Sequence, residues 1–178
     1  MEIQYAIFSG GCFWCTEAVF QRLRGVVSVL PGFCGGNIPN PTYEQVVMGN
    51  TGYAEAIKIE FNSDLISFGD LLGVFFATHD PTQLNRQGAD VGTQYRSAIF
   101  YMSNEQKDRA EKFIEQLESE KIFSNKIVTT LEPTKKFYTA ENEHKDYYNQ
   151  NRNKNPYCQV VIDPKLVKLR ERFSHLLV

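Results

Sequence analysis

The distribution of apolar and polar residues along the chain predicts a mixture of short strands and helices. Alternation at every second residue, clearest in Ala56–Phe61, is typical of a half-buried β-strand. Other β-rich segments end at glycine, proline or serine, as strands that lead into turns do. The predicted strands are Ile3–Phe8, Val26–Leu30, Ala56–Phe61, Ser97–Tyr101, Val128–Leu131 and Cys158–Ile162.

Apolar residues spaced three and four positions apart predict the helices, and capping residues mark where several of them begin. The clearest helix follows Ser67, with an apolar face formed by Phe68, Leu71, Leu72, Phe75 and Phe76. Further helices are predicted from Cys12 to Gly25, from Thr42 with Gln45 in capping-box position, after Ser103, over Glu141–Tyr148 and from Asp163-Pro164 onwards.

Two long segments carry no regular pattern. Pro31–Pro41 contains three prolines and three glycines, and Asp80–Gln94 is polar and rich in turn residues. A loop as long as the second usually exists for binding or function. The sequence therefore predicts an α+β fold in a single domain of residues 1–178: a two-layer α/β sandwich with a ferredoxin-like core and long irregular loops wrapped over it.

Composition and charge exclude several classes of function. The 178 residues are 42% hydrophobic and 22% charged, with a net charge of −2, so nothing attracts the chain to nucleic acid or to an anionic membrane. No apolar segment approaches membrane-spanning length, and the first residues do not form a basic leader followed by an apolar stretch. We therefore expect a cytoplasmic monomer that binds neither nucleic acid nor membrane.

The chain contains four cysteines: Cys12, Cys15, Cys34 and Cys158. In a cytoplasmic protein, cysteines favour redox chemistry, metal binding or buried thiols over structural disulfides. Cys12 follows a predicted strand and two glycines and begins a predicted helix. The N–H groups and dipole of a helix N-terminus favour an anion, which predicts a nucleophilic thiolate at Cys12. The neighbouring Phe13 and Trp14 predict an apolar pocket beside this sulfur.

The Cys12-x-x-Cys15 spacing leaves several interpretations open. The two cysteines could form a thioredoxin-like dithiol, or they could be buried core residues. Cys12 could also be the nucleophile of a cysteine hydrolase that has His144 as its base. Structural zinc needs four ligands, and the histidines form no second spaced pair with Cys34 or Cys158, so we expect no metal.

A series of motifs along the chain narrows this choice. They are Gly11-Cys12-Phe13-Trp14, Gly35-Gly36, Pro41-Thr42-Tyr43, Thr51-Gly52-Tyr53-Ala54-Glu55, His79-Asp80-Pro81-Thr82-Gln83, Asn85-Arg86-Gln87-Gly88, Asp90-Val91-Gly92-Thr93-Gln94-Tyr95-Arg96-Ser97 and Phe137-Tyr138-x-Ala140-Glu141. In this order, from about Ile7 to Cys158, the chain closely resembles the A-type peptide methionine sulfoxide reductases. The resemblance implies reduction of methionine-S-sulfoxide, free or in proteins, with thioredoxin as reductant and no bound cofactor.

The resemblance also implies roles for individual residues. Cys12 matches the nucleophile, and Glu55 matches the acid that protonates the sulfoxide oxygen. A carboxyl among aromatic residues can stay protonated near neutral pH because burial disfavours its charge. Tyr43 and Tyr95 match the phenols that bind the sulfoxide oxygen, and Asp90 matches a carboxylate that organises the site.

The aromatic pair beside the nucleophile matches the pocket for the substrate methyl group. By resemblance, Phe13 and Trp14 distinguish this methyl from the sulfoxide oxygen and so select one epimer. The chain also departs from the family pattern at Tyr53, where relatives usually have histidine, and this puts any role of that histidine in doubt.

The thiol that resolves the Cys12 sulfenic acid into a disulfide stays open among three candidates. Cys15 is preferred for its proximity to Cys12. Cys158 follows because it matches the family's C-terminal resolving cysteine, although a predicted strand after it replaces the usual mobile tail. Cys34 is third, in a glycine-rich loop.

Two other functions compete with sulfoxide reduction. A general thiol–disulfide oxidoreductase built on Cys12-x-x-Cys15 would exchange with protein disulfides and would not need Glu55. A non-enzymatic protein would bind methionine-containing peptides in the aromatic pocket without turnover.

Overall fold

The predicted mixture of strands and helices is confirmed by the computed structural model, which describes residues 1–178. The strands are β1 (Ile3–Ser9), β2 (Val26–Cys34), β3 (Ala54–Asn62), β4 (Arg86–Gln87), β5 (Asp90–Val91), β6 (Ala98–Tyr101), β7 (Thr130–Pro133) and β8 (Tyr138–Thr139). The helices are α1 (Phe13–Phe20), α2 (Tyr43–Val47), α3 (Phe68–Thr78), α4 (Asn104–Ser119), α5 (Tyr147–Asn151) and α6 (Asp163–Phe173).

One sheet forms the centre of the fold. Its six strands lie in the order β7-β6-β1-β3-β2-β8, and all neighbours are antiparallel except β6 and β7. Strands β4 and β5 form a separate two-stranded sheet inside the long polar segment. None of the helices is long and apolar enough to cross a membrane.

Both faces of the sheet are apolar along the second half of β1. Phe8 belongs to a cluster of 31 buried residues that includes the inner faces of α1, α3 and α6. Its neighbour Ile7 points to the opposite face and belongs to a second cluster of six residues. Burial on both sides makes this half of β1 a rigid support for the turn that follows it.

Three of the helices begin as the sequence predicts. Thr42 and Ser67 each accept a hydrogen bond from a backbone N–H three residues on, and each receives the reciprocal bond of a capping box. Ser103 accepts from the Gln106 N–H at the start of α4.

The prediction of a loop from Pro31 onwards is wrong for its first residues. β2 continues to Cys34 because this segment pairs with β3 on one side and with β8 on the other. The Pro31 carbonyl accepts the Ala140 N–H at 2.9 Å. At Gly32 a Cβ atom would collide with the Tyr138 carbonyl, so only glycine lets β8 approach this closely.

The predicted strand Cys158–Ile162 is a wide helical turn of π type that leads directly into α6. Cys158, Ile162, Leu166 and Leu169 are buried, and their spacing of four, four and three residues is that of a helix. A strand would also have buried Val160, which is 73% exposed. Cys158 is therefore held in a packed helical segment.

Other boundaries differ by smaller amounts. Helix α1 ends at Phe20 instead of Gly25, and the strand predicted at Val128–Leu131 is β7, two residues further on. The helix predicted over Glu141–Tyr148 is divided into a 3₁₀ turn and α5 by Asp146, which has a left-handed backbone with φ of 54°.

Replacement of Phe8 by alanine should strongly destabilise the protein. The Phe8 ring packs against Phe20, Phe68 and Phe75 at centroid distances of 5.7, 6.0 and 4.8 Å. Loss of such a ring costs about 3–5 kcal/mol. Urea unfolding measures the change, with Tyr5→Ala on the same strand as control.

Tyr5 is 40% exposed and lies 5.1 Å from the Lys58 ammonium, so its loss should cost less than about 1 kcal/mol. Equal losses of stability in the two variants would contradict this description of the core.

Candidate active site at the start of helix α1

Cys12 lies where the central strand β1 turns into helix α1. It is the N-cap residue of α1, with an extended backbone, and it is only 6% exposed. Gly11 makes the turn possible: its φ is +91°, and a Cβ there would lie 2.9 Å from the Gln87 side chain. The Gly11 N–H donates to the Tyr95 carbonyl at 3.2 Å, which ties the turn to the polar segment.

The environment of Cys12 differs from the one predicted. Burial raises the pKa of the Cys12 thiol well above its ordinary value, and the neighbouring Cys15 and Glu55 raise it further. The helix N-terminus therefore does not hold a thiolate in the free protein, because desolvation outweighs the dipole.

Glu55 is a buried carboxyl group close to Cys12. It lies on β3, is 1% exposed, and its Oε1 accepts the Phe13 N–H at 3.2 Å. Its Oε2 is buried without a hydrogen-bond partner. Burial raises the pKa of Glu55 to about 8, so the carboxyl is mainly protonated at neutral pH.

Five rings form an aromatic wall beside Cys12; we use this name for Phe13, Trp14, Tyr43, His144 and Tyr147. Trp14 stacks on Tyr147 with centroids 3.8 Å apart and planes 6° apart. Phe13 faces Tyr43 at 5.9 Å, and Tyr43 faces His144 at 4.2 Å. The predicted pair Phe13 and Trp14 thus has three further partners, and the wall suits an apolar group such as a methyl.

The two predicted phenols share this environment. Burial raises the pKa of Tyr43 and of Tyr95, and the charges of Glu55 and Cys12 raise both further. Tyr43 and Tyr95 therefore lie close enough to Glu55 and Cys12 for their charges to interact. Both hydroxyls stay protonated and can donate hydrogen bonds to a ligand oxygen.

Asp90 reaches the thiols through a tyrosine that the sequence analysis did not single out. The Tyr157 hydroxyl donates to Asp90 Oδ2 at 2.7 Å and lies 3.4 Å from the Cys15 sulfur. Tyr157 thus links Asp90, which is 67 residues away in sequence, to Cys15. Tyr157 directly precedes Cys158, and this adjacency was the only local signal that could have drawn attention to it.

Cys15 is the thiol best suited to ionise. Its pKa is lowered, first by a hydrogen bond from the Cys12 thiol and then by the Lys165 charge and the Tyr157 hydroxyl. Helix α1 places it within one turn of Cys12, whose carbonyl accepts the Cys15 N–H at 3.0 Å.

The other two cysteines are placed differently. Cys158 is fully buried, and burial, followed by the Cys15 charge, raises its pKa. Cys34 belongs to the second cluster, where its thiol contacts the Lys135 carbonyl, and burial raises its pKa to about 11. The structure therefore does not bring Cys34 to Cys12.

Tyr53 is also outside the site. It is 3% exposed, its ring lies on Gly36, and its hydroxyl donates to the Ile38 carbonyl. A Cβ at position 36 would collide with this ring. Tyr53 therefore secures the loop after β2.

A second buried carboxylate, missed in the sequence, supports the aromatic wall. Glu17 is 3% exposed and accepts the backbone N–H groups of Asp146 and Tyr147 at 3.0 and 3.4 Å. Burial raises the pKa of Glu17 to about 7. These bonds hold the backbone whose next ring, Tyr147, stacks on Trp14.

His144 completes the wall without contacting the nucleophile by a hydrogen bond. Its Nδ1 accepts the indole N–H of Trp14 at 3.2 Å, and burial lowers its pKa. No hydrogen bond joins it to Cys12, so the geometry does not favour a cysteine hydrolase with His144 as base.

The sequence of this chain is similar to those of known proteins. A family model described as "Peptide methionine sulfoxide reductase" matches residues 4–177. A peptide methionine sulfoxide reductase MsrA of Deinococcus radiodurans is 56% identical over 171 residues, covering 96% of this chain and 82% of the relative. Another from Erwinia tasmaniensis is 56% identical over 174 residues, covering 98% and 97%.

Solved structures agree with the sequence relatives. Reduced Mxr1 from Saccharomyces cerevisiae has a TM-score of 0.79 at 33% identity, covering 86% of this chain and 88% of that one. Methionine sulfoxide reductase A of Corynebacterium diphtheriae has a TM-score of 0.74 at 32% identity, covering 84% and 76%. The family model covers nearly the whole chain, and the two bacterial MsrA relatives are more than 50% identical to it. This chain therefore belongs to the peptide methionine sulfoxide reductases of the A type.

Proposed function

We propose that this protein reduces methionine-S-sulfoxide, free or in polypeptides, to methionine, with Cys12 as nucleophile and Glu55 as acid. The observation that carries the proposal is the position of Glu55. A carboxyl that burial keeps protonated near neutral pH lies beside a buried thiol and an aromatic wall. A sulfoxide sulfur becomes electrophilic only when its oxygen is protonated or strongly hydrogen-bonded, and Glu55 supplies this proton.

The substrate is held by the aromatic wall and the two phenols. Its methyl group packs between Phe13 and Trp14, and its oxygen points toward Glu55, Tyr43 and Tyr95. Apolar rings on one side and hydrogen-bond donors on the other distinguish methyl from oxygen, which selects one epimer.

The chemical step moves two protons and forms one sulfur–oxygen bond on the enzyme. Glu55 protonates the sulfoxide oxygen while the thiol proton of Cys12 passes to the Glu55 carboxylate. The Cys12 sulfur bonds to the sulfoxide sulfur. The oxygen then passes to the Cys12 sulfur, and both the sulfur–oxygen bond of the substrate and the transient sulfur–sulfur bond break. Methionine leaves, and Cys12 is a sulfenic acid. Because a charged Glu55 raises the pKa of Cys12, the two protons move together.

Cys15 resolves the sulfenic acid in this proposal. Its lowered pKa and its position within one helical turn of Cys12 support it as the attacking thiolate. The attack forms a Cys12–Cys15 disulfide and expels the sulfenic oxygen, which leaves as water after it takes up a proton. Cys158 is the second candidate, but it is held in a packed helical turn and its pKa is raised. Thioredoxin then returns both thiols to the reduced state, and no bound cofactor is needed.

A general thiol–disulfide oxidoreductase is not favoured as an alternative. The family of the chain acts on methionine sulfoxide, and dithiol exchange has no use for a buried neutral acid. Non-enzymatic peptide binding likewise requires neither a protonated Glu55 nor a Cys15 thiol with a lowered pKa.

Several finer points are part of the same proposal. We propose that residues 1–178 form one domain with a ferredoxin-like core of two layers, and the strand order β6-β1-β3-β2 supports this. Long irregular segments cover this core. We also propose a cytoplasmic monomer without resident metal, membrane or nucleic acid, which the four unpaired thiols and the balanced charge support.

Oxidation of the reduced protein with one equivalent of methionine-S-sulfoxide should produce a Cys12–Cys15 disulfide. Peptide mass mapping identifies it. Cys12→Ser should abolish methionine formation, whereas Cys15→Ser should form one equivalent of methionine and then stop when thioredoxin is the reductant. Cys158→Ser is the matched control and should cycle normally. A Cys12–Cys158 bridge in the wild-type protein would refute the assignment of Cys15.

Glu55→Gln should lower sulfoxide reduction by about 10²- to 10⁴-fold, the usual contribution of a general acid. The amide has nearly the same shape but cannot supply the proton. Steady-state kcat with methionine-S-sulfoxide measures the loss, and Glu60→Gln on the same strand is the control that should retain activity. Unchanged activity in Glu55→Gln would remove the acid from the mechanism.

The same substitution should change the pH dependence of stability. The pKa of Glu55 is raised from 4.5 to about 8 in the folded protein. The contribution of this group to the free energy of unfolding is therefore fully present below pH 4.5 and is lost as the pH rises through 8. Relative to Glu55→Gln, the wild type should lose up to about 1.4 kcal/mol for each pH unit in this window. Urea unfolding from pH 5 to 9 measures it; parallel curves for both proteins would contradict the raised pKa.

A further inference from the structure

Three exposed carboxylates surround the mouth of a cavity beside the aromatic wall. The cavity has a volume of about 640 Å³, and it is lined by Trp14 and Tyr43 on its inner side and by Glu44, Glu141 and Glu143 at its edge. We call these three glutamates the acidic rim. Nothing in the proposed chemistry uses them, since the proton donor and both thiols lie deeper.

The acidic rim has no cationic partner in the protein. None of its three residues forms an ion pair with lysine or arginine, and no lysine or arginine lines the cavity. Glu141 uses its Oε1 to accept the Tyr43 N–H at 3.2 Å, and this leaves its Oε2 free. Three uncompensated negative charges at one cavity mouth attract a cation from outside.

His144 provides a second, independent indication of a ligand. It is 5% exposed, it lines the same cavity, and its Nε2 has no hydrogen-bond partner. This nitrogen lies 3.8 Å from Glu141 Oε2 and 3.9 Å from Glu143 Oε1, too far for hydrogen bonds. A buried polar atom without a partner is costly, so it is expected to acquire one from a bound molecule.

The tautomer of His144 decides which kind of ligand fits. Because Nδ1 accepts the indole N–H of Trp14, the proton of the neutral ring lies on Nε2. Burial lowers the pKa of His144, so the ring is neutral and does not cancel the carboxylates. A protonated Nε2 cannot bind a metal ion, although the three side chains lie close enough together to do so. It can donate to a carbonyl oxygen.

We propose that the acidic rim binds a lysine or arginine side chain next to the oxidised methionine of a polypeptide substrate, with His144 Nε2–H donating to a backbone carbonyl of that polypeptide. The inference rests on the proposed function, because it places the sulfoxide beside Trp14. A peptide supplies both features that the rim requires, a cation and a hydrogen-bond acceptor. Oxidised methionines in basic sequences are therefore preferred substrates.

The experiment compares three otherwise identical methionine-S-sulfoxide peptides, with lysine, glutamine or glutamate on both sides of the sulfoxide. Their kcat/KM values are measured with dithiothreitol as reductant, in buffer with a chelator, at low ionic strength. The lysine peptide should exceed the glutamine peptide by about three- to tenfold, as expected for exposed ion pairs. At about 1 M salt, where the Debye length is about 3 Å, the ratio should approach one.

Variants assign this preference to the rim. Glu44→Gln with Glu143→Gln removes two rim charges that make no hydrogen bond to the backbone, and the ratio should fall to near one. Glu115→Gln with Glu118→Gln on α4 changes the net charge equally, away from the cavity, and should preserve the ratio. Glu143→Lys should reverse the order, so that the glutamate peptide is reduced faster than the lysine peptide.

Two results would overturn the inference while the proposed function stands. The first is equal kcat/KM for the lysine and glutamine peptides in the wild type. The second is an equal fall of the ratio in the α4 control, which would assign the preference to net charge. Failure to reduce any of the three peptides would overturn both the inference and the proposed function.

Discussion

The site depends on the burial of one carboxyl group. Glu55 lies on a central strand, its only hydrogen bond is to the first N–H of helix α1, and no cation neutralises it. Such a group is stable in a protein interior only as the neutral acid. Burial likewise keeps the neighbouring Cys12 thiol and the phenols of Tyr43 and Tyr95 protonated.

The two thiols of the Cys12-x-x-Cys15 pair are consequently unequal. Burial and the neighbouring Glu55 raise the pKa of Cys12, whereas Lys165 and Tyr157 help to lower the pKa of Cys15. In the proposed mechanism this difference sets the order of events, because Cys12 is activated only when substrate is bound and Cys15 ionises beforehand. A symmetrical dithiol would lack this order.

Local sequence patterns could predict only the part of the site next to Cys12 and the starts of several helices, whereas Glu55, Tyr43, Tyr95 and Asp90 were implied by the family resemblance alone. Phe13 and Trp14 adjoin Cys12, and the helix N-caps at Thr42, Ser67 and Ser103 are short-range signals. Long-range contacts were not predictable in this way. Tyr157 and Glu17 act through partners 67 and 129 residues away, and β2 extends through Pro31 because two neighbouring strands pair with it. The helical turn at Cys158 was missed because a run of β-branched residues outweighed the four-residue spacing of the buried positions.

The central claim, that Glu55 is a neutral acid in the reduced enzyme at physiological pH, can be tested without turnover. Infrared difference spectroscopy of the reduced protein detects the C=O stretch of a protonated carboxyl separately from carboxylate bands. At pH 7 the account predicts a protonated-carboxyl band in the wild type beyond that of Glu55→Gln, and this additional band disappears with a midpoint near 8. A wild-type spectrum in which no such band differs from that of Glu55→Gln at pH 7 would contradict it.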